Sequence, residues 1–185
     1  MDTLYIVRHG TTDFNEQGRY LGRTNLSLNS VGRQQAVGIA EQVKKLRIDF
    51  VISSPLKRAM ETAEIIKPDE HKIIINPHFI ERSVGVYEGL TKNEAKKLFP
   101  DLYKKNITRI FNDAPPKGET IKEVQGRVFN GMDEIKKNYQ DKNILVVTHA
   151  FVAKVINKYF NPDVSEQDFF DFILKTANIK QYQFK

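Results

Sequence analysis

Apolar residues fall along this chain in two alternating patterns. Short continuous runs at Thr3 to Val7, Phe50 to Ser53, Lys72 to Ile75 and Ile144 to Thr148 are dense in Ile and Val, as strands buried in a parallel sheet are. Between them the apolar positions recur at helical spacing. One helix follows Asn29, a good N-cap, with Ala36, Ile39, Ala40, Val43 and Leu46 on one face. A second is expected to open near Pro55 and run through Ala59, Ala63 and Ile66. A third starts at about Thr120 and carries Ile121, Val124, Val128, Met132 and Ile135; a fourth follows His149 with Val152, Val155 and Ile156. Phe169 to Leu174 and Ile179 to Phe184 read as two strands joined around Ala177-Asn178, which adds an antiparallel edge. The stretch from Asn76 to Pro116 is broken by Pro77, Pro100 and Pro115-Pro116. We expect it to form a small cap of short helices over an active site, spanning about 76–118. The whole predicts one α/β domain over 1–185: a three-layer α/β/α arrangement around a mainly parallel sheet with an antiparallel edge strand.

Three of the strand-to-helix junctions carry chemistry. Arg8-His9-Gly10-Thr11 follows the first strand, Ser53-Ser54-Pro55-Leu56-Lys57-Arg58 the second, and Thr148-His149-Ala150 the Ile144 strand. Open α/β sheets assemble their ligand sites at the carboxyl ends of strands, so two arginines and two histidines are expected along one edge. An unprotonated imidazole is a competent nucleophile near neutral pH, and a guanidinium beside it offers a bidentate positive partner for phosphate or carboxylate. Arg58, in the first turn of its helix, adds the positive end of the helix dipole to the same place. A single histidine at such a position is commonly just a hydrogen-bonded core residue; three coincident junctions make that reading poor.

Composition narrows the partners. The 185 residues suffice for one well-filled core, and cysteine is absent, which removes thiol nucleophiles and thiolate metal sites. The net charge of +6 comes mainly from lysines scattered over helix faces. That distribution favours a small anionic substrate and speaks against a nucleic-acid stripe. No stretch approaches a membrane span and the first residues lack the order of a signal peptide, so a cytoplasmic protein with no membrane partner is expected. His71 and His78 have no carboxylates at ligand spacing and are read as surface residues; no metal site and no cofactor is expected.

These residues resemble a known family. The ordered set Arg8-His9-Gly10, Asn15, Gly18-Arg19, Gly22, Gly32-Arg33-Gln34-Gln35-Ala36, Ser53-Ser54-Pro55-Leu56, Arg58-Ala59, Glu81, Glu88-Gly89-Leu90-Thr91, Gly118-Glu119-Thr120 and Thr148-His149 is similar to the histidine phosphatase superfamily, with its phosphoglycerate mutase-like fold. The resemblance implies that His9 attacks phosphorus and that Arg8, Arg58 and His149 hold the phosphoryl oxygens, with Asn15 adding a contact. It implies that Glu81 protonates the leaving oxygen and then activates water. His9 should be fixed by a hydrogen bond from its other ring nitrogen to a backbone carbonyl, and a protonated or proton-donating His149 should add positive character.

The segment between Glu81 and His149 lacks the long insertion of the mutases, has an isolated Arg109 where they carry paired arginines, and has Val84 where they carry tyrosine. This favours hydrolysis of small phosphate monoesters, with a small phosphorylated metabolite as substrate. A phosphoglycerate mutase and a catalytically silent binding module are the alternatives. The loops Gly18-Arg19-Tyr20-Leu21-Gly22 and Pro115-Pro116-Lys117-Gly118-Glu119-Thr120 look most like the branch that contains α-ribazole phosphatase. Substrate contacts are expected from Leu21, Gly22, Arg82 and Ala150 besides the residues above. Leu21 stands where a polar residue is frequent, Arg82 either reaches the distal part of the substrate or pairs with a carboxylate, and Phe151 either packs in its helix or narrows the pocket. Phe111, Tyr87 and Tyr103 either line the cap or pack within it. A homodimer is compatible with the sequence.

Overall fold

The computed structural model describes residues 3–68 and 70–184. In chain order the elements are β1 (Thr3–Arg8), α1 (Asp13–Glu16), α2 (Ser30–Lys44), β2 (Phe50–Ser53), α3 (Lys57–Ile66), β3 (Ile73–Ile75), α4 (Lys92–Leu98), α5 (Pro100–Lys104), α6 (Ile121–Asn138), β4 (Ile144–Thr148), α7 (Ala150–Phe160), α8 (Glu166–Asp171) and β5 (Ile179–Gln183). The sheet runs β3-β2-β4-β1-β5; its first four strands are parallel and β5 lies antiparallel to β1.

Alternation along the central strands sorts the core into two layers. Leu4, Ile6, Ile52, Ile144 and Val146 pack under α6 and α7, against Val124, Val128, Met132, Val152 and Ile156. Val7, Val51, Leu145 and Val147 face α2 and α3, against Ala36, Val43, Ala59, Ala63 and Ile66. Each such aliphatic side chain, fully buried, contributes about 1.5–3 kcal/mol of transfer free energy. Register then sets the site. Arg8 pairs with Thr148 and Ser53 with Val147, and the His9 and Ser54 amides donate to the Thr148 and Val147 carbonyls at 3.0 Å each. His9, Ser54 and His149 therefore leave the sheet at one level.

Three expectations need correction. Phe169 to Leu174 is not a strand: Ser165 caps α8 by accepting from the Asp168 amide, and Phe169 is buried beneath the helix. Lys154 Nζ then binds the Phe170 and Phe172 carbonyls, so the chain after α8 finds its partners in a side chain rather than a sheet neighbour. The edge is the single strand β5. The Lys72 to Ile75 run is a strand but not a buried one, since Ile74 and Ile75 are exposed on the outermost strand. The second helix begins at Lys57 rather than Pro55, a shift within the ordinary spread of helix ends.

Between 76 and 118 lie short 3-10 turns at 77–79, 85–87 and 107–109 together with α4 and α5. This stretch has its own small core of Tyr87, Ala95 and Ile107, to which Tyr20, Val84, Phe99 and Tyr103 pack. Thr91 and Glu94 form a reciprocal cap at the start of α4, and the Tyr20 amide and carbonyl bond to Leu90 and Gly89. The loop after α1 and the 76–118 segment are thus stitched together beside the sheet edge. Among the described residues no helix is long and apolar enough to cross a membrane.

Candidate active site

The site grows from the end of β1. Gly10 lets this loop touch the first turn of α2: a Cβ on Gly10 would stand 2.4 Å from the Gly32 carbonyl oxygen. Gly32 is equally constrained, its would-be Cβ 2.1 Å from the Thr11 carbonyl. The loop is pinned further by the Gly10 amide donating to Thr62 Oγ1 at 3.1 Å and the Thr11 amide to Gln35 Oε1 at 3.0 Å.

His9 is buried, and its Nδ1 bonds the Gly10 carbonyl at 2.7 Å. Because a carbonyl only accepts, Nδ1 carries the proton and Nε2 presents a lone pair. Arg58 Nε donates to that Nε2 at 3.2 Å. Burial, then the Arg58 and Arg8 charges, hold the His9 pKa well below its ordinary value. The imidazole is therefore neutral, with its lone pair aimed among cations.

Arg58 is itself fully buried in the first turn of α3. Its Nη1 and Nη2 donate to the Thr24 and Gly22 carbonyls, both at 2.8 Å. Gly22 turns its backbone through φ +49°, which makes that carbonyl available, and a Cβ there would meet the Glu88 carboxylate. Burial lowers the Arg58 pKa to about 10, with Glu81 and Glu88 opposing the fall; it stays charged at neutral pH. Arg8 is anchored through Nη1 to the Leu174 carbonyl at 3.1 Å, while its buried Nε has no protein partner. Burial also lowers the Arg8 pKa, again opposed by Glu81.

His149 caps the other junction. Its ring lies 5.1 Å from that of His9 and is wholly buried. Nε2 meets Ser54 Oγ at 2.6 Å, and Ser54 Oγ also accepts from the Leu56 amide at 3.4 Å. That leaves the serine hydrogen free to donate to Nε2, which places the ring proton on Nδ1, a buried atom with no partner. Burial, then Arg58 and His9, lower the His149 pKa well below its ordinary value. The protonated form considered from sequence gives way to a neutral ring, because burial first and the neighbouring Arg58 charge second disfavour the imidazolium; the proton-donating form remains.

Glu81 follows the turn at 77–79. Its Oε1 accepts from the Arg82 amide at 2.9 Å and Oε2 from the Phe151 amide at 3.3 Å. Its backbone is tied down by Arg127, which donates to the Glu81 carbonyl at 3.2 Å and to the His78 carbonyl at 2.8 Å while gripping Glu119 with two nitrogens. Glu81 then forms part of the wall of a cavity of about 320 Å³, lined also by Leu21, Gly22, Val84, Phe151 and Phe170.

Of the remaining sequence candidates, Leu21, Gly22 and Arg82 line that cavity. Arg82 neither pairs with a carboxylate nor stands free: Nε and Nη1 donate to the Glu119 and Thr108 carbonyls at 2.9 and 2.7 Å, and the guanidinium lies 4.9 Å from the Phe151 ring centroid. Phe151 is half-buried in the cavity wall, not simply helix core. Ala150 opens α7 and is not in that wall. Asn15 Oδ1 turns back to accept from the Thr12 amide and hydroxyl at 3.1 Å each, closing a cap on α1. His71 and His78 are half-buried rather than on the surface, bonded to the Ile48 carbonyl at 2.9 Å and Glu134 at 3.3 Å.

Sequence reasoning missed Ser54, Arg127 and Glu119 as supporting residues. Ser54 had a signal, being the polar residue at the end of β2 opposite His149. Arg127 had none, since one arginine among helix-surface cations looks like any other until α6 is packed.

Known proteins share this fold and part of this sequence. The chain is 37% identical over 151 residues to an uncharacterized phosphatase of Bacillus subtilis, covering 81% of this chain and 72% of that one. A solved phosphoserine phosphatase of Entamoeba histolytica, in complex with 3-phosphoglyceric acid, superposes with a TM-score of 0.86 at 26% identity, covering 100% of this chain and 91% of its own. The α-ribazole phosphatase of Shigella flexneri shares the fold, with a TM-score of 0.90 at 22% identity over 99% of this chain and 91% of its own. The profile of the histidine phosphatase superfamily, branch 1, matches residues 4–185, and the chain belongs to that family.

Proposed function

We propose that the chain is a metal-independent phosphomonoesterase that works through a phosphohistidine on His9. The observation that supports this most is the meeting of a neutral His9, its Nε2 lone pair exposed by the Nδ1 to Gly10 bond, with the buried Arg58 guanidinium, the half-buried Arg8 guanidinium and the Glu81 carboxyl group. A phosphoryl group entering the site takes over the Arg58 Nε hydrogen that now rests on His9 Nε2. His9 Nε2 forms the bond to phosphorus as the ester oxygen departs with the bonding pair. Arg8, Arg58 and the free Nδ1 hydrogen of His149 balance the charge on the non-bridging oxygens, where such donors lower the barrier most. Glu81 gives its proton to the departing oxygen. In the second half, water loses a proton to Glu81 and attacks phosphorus, His9 recovers its lone pair, and inorganic phosphate leaves.

The cavity beside Glu81 takes the alcohol half of the ester. Leu21, Val84, Phe151 and Phe170 make it largely apolar, which suits an organic leaving group. Whether the α-ribazole branch holds is tested together with the activity: phosphate release from α-ribazole phosphate, phosphoserine, 3-phosphoglycerate, sugar phosphates and nucleoside monophosphates, in excess chelator, by wild type and His9→Ala. Release that is lost in the variant supports the phosphatase. No release, with 3-phosphoglycerate interconverted in the presence of a bisphosphate primer, would instead favour the mutase, and neither reaction would favour a silent binding module.

A further inference from the structure

Glu88 belongs to the stretch Glu88-Gly89-Leu90-Thr91 that carries part of the family resemblance, yet it has no task in the scheme above. It is half-buried and does not line the cavity beside Glu81. Its carboxylate lies behind that wall, between two segments that do line it. Oε1 accepts from the Arg23 amide at 3.1 Å, the Ser83 hydroxyl at 3.0 Å and the Val84 amide at 3.2 Å, and Oε2 accepts from the Thr24 hydroxyl at 3.2 Å.

Each side of this carboxylate leads to a reacting group. On one side, Arg58 Nη2 and Nη1 rest on the Gly22 and Thr24 carbonyls, which flank the Arg23 amide that Glu88 holds. Gly22 lies so close that a Cβ there would collide with the carboxylate. On the other side, Ser83 and Val84 follow closely after Glu81 in the chain. The Arg23 side chain closes the circuit by donating through Nε to the Glu81 carbonyl at 3.2 Å. Hydrogen bonds to a carboxylate are stronger than those between neutral groups. A shift of either segment therefore costs bonds that Glu88 makes to both.

We propose that Glu88 is a positioning residue, which fixes the distance between the Arg58 guanidinium that receives the phosphoryl group and the Glu81 carboxyl group that protonates the leaving oxygen. This rests on the phosphatase reading and adds to it a residue that touches no reacting atom. Misplacing a catalytic group by about 1 Å costs on the order of 10²-fold in rate. The dependence is steepest where the Glu81 proton is needed most, in esters of alkyl alcohols. p-Nitrophenolate departs without a proton, so its ester reads the phosphoryl half alone.

The measured quantity is the ratio of kcat/KM for glycerol phosphate over p-nitrophenyl phosphate in wild type, Glu88→Ala and Glu88→Gln. Glutamine keeps the connections: its carbonyl oxygen serves the three donors at Oε1, and its NH2 donates to the Thr24 hydroxyl, which turns to accept. A ratio that falls about tenfold in Glu88→Ala and is restored in Glu88→Gln supports the proposal. An unchanged ratio in Glu88→Ala, with both esters falling together, leaves only a packing role and overturns it. Equal falls in both variants overturn it as well, because charge rather than placement is then what was lost. Should Glu88→Ala not fold, Thr24→Val, of nearly the same shape, is read on the same ratio; a fall of about threefold supports the proposal and no change overturns it. Should wild type hydrolyse neither ester, the phosphatase reading fails alone, and calorimetry of inorganic phosphate decides the Arg58 half. Weaker binding by Glu88→Ala with wild-type binding by Glu88→Gln then supports the proposal; any other pattern, including no binding by wild type, overturns it.

Discussion

Arg58 Nε donates to His9 Nε2 across 3.2 Å, so in the proposed reaction the group that now occupies the histidine lone pair is the one that turns to the incoming anion. The same guanidinium ties down the Gly22 and Thr24 carbonyls and thereby holds the loop whose Tyr20, Leu21 and Gly22 line the cavity beside Glu81. Arg58 thus couples the phosphoryl site to the specificity wall.

Arg58→Lys keeps a charge but loses the planar fork that serves three acceptors at once. Its kcat/KM for any phosphate monoester is expected to drop by about 10²–10³-fold, in line with loss of one preorganised donor to a developing anion. KM should rise most for esters with bulky alcohols, since the Gly22 loop relaxes. Steady-state kinetics on a short and a long ester check this; an unchanged kcat/KM would contradict it.

Ser54→Ala removes the partner of His149 Nε2 and with it the reason for the ring proton to sit on Nδ1. We expect kcat to fall by about tenfold or more with a folded enzyme. Ser54→Thr, which keeps the hydroxyl, should recover most of the activity. Equal loss in both variants would mean that Ser54 matters for packing rather than for the tautomer.

Stability should depend on pH through the two buried imidazoles. Both have native pKa values well below the ordinary value of 6.5, chiefly through burial. Below 6.5 the unfolded chain takes up protons that the native site refuses, so stability is full above that pH and declines as the pH falls toward the native values. Urea midpoints measured from pH 8 to pH 5 should decrease on the acid side, and His149→Gln should flatten the slope. Inorganic phosphate, by placing an anion beside both rings, should oppose the decline. A flat profile in wild type would contradict the assignment of neutral, buried rings.

Gly10→Ala drives a methyl into the Gly32 carbonyl, 2.4 Å away. The cost is expected at about 1–3 kcal/mol, read as a lowered melting temperature, along with impaired activity because His9 is the adjoining residue. Gly38, where an added Cβ meets nothing within 4 Å, is the control on the same helix as Gly32; Gly38→Ala should be neutral or slightly stabilising.

The legibility of this protein follows the range of the forces involved. β1, β2 and β4 are short, mostly buried runs, and the junctions that follow them bring Arg8, His9, Arg58 and His149 to one edge, because parallel strands put their carboxyl ends on the same side. Asn29, Thr120 and their apolar faces marked α2 and α6 through local chemistry. The Phe169 to Leu174 segment failed because its aromatic density resembles a strand, whereas the deciding interactions, the Ser165 cap and Lys154 on the Phe170 and Phe172 carbonyls, are a polar cap and a distant side chain. Arg82 was ambiguous for a related reason. Its partners are carbonyls of Thr108 and Glu119, whose positions depend on how the whole 76–118 stretch folds.

The central claim is that His9 Nε2 becomes covalently phosphorylated, and the most direct measurement is mass spectrometry of the enzyme quenched during turnover of a phosphate monoester. The account predicts one added phosphoryl group, stable to alkali and labile to acid, located on His9 by peptide mapping and lost in His9→Ala. Turnover with no covalent phosphoryl group at any quench time, or with the label on another residue, would contradict it.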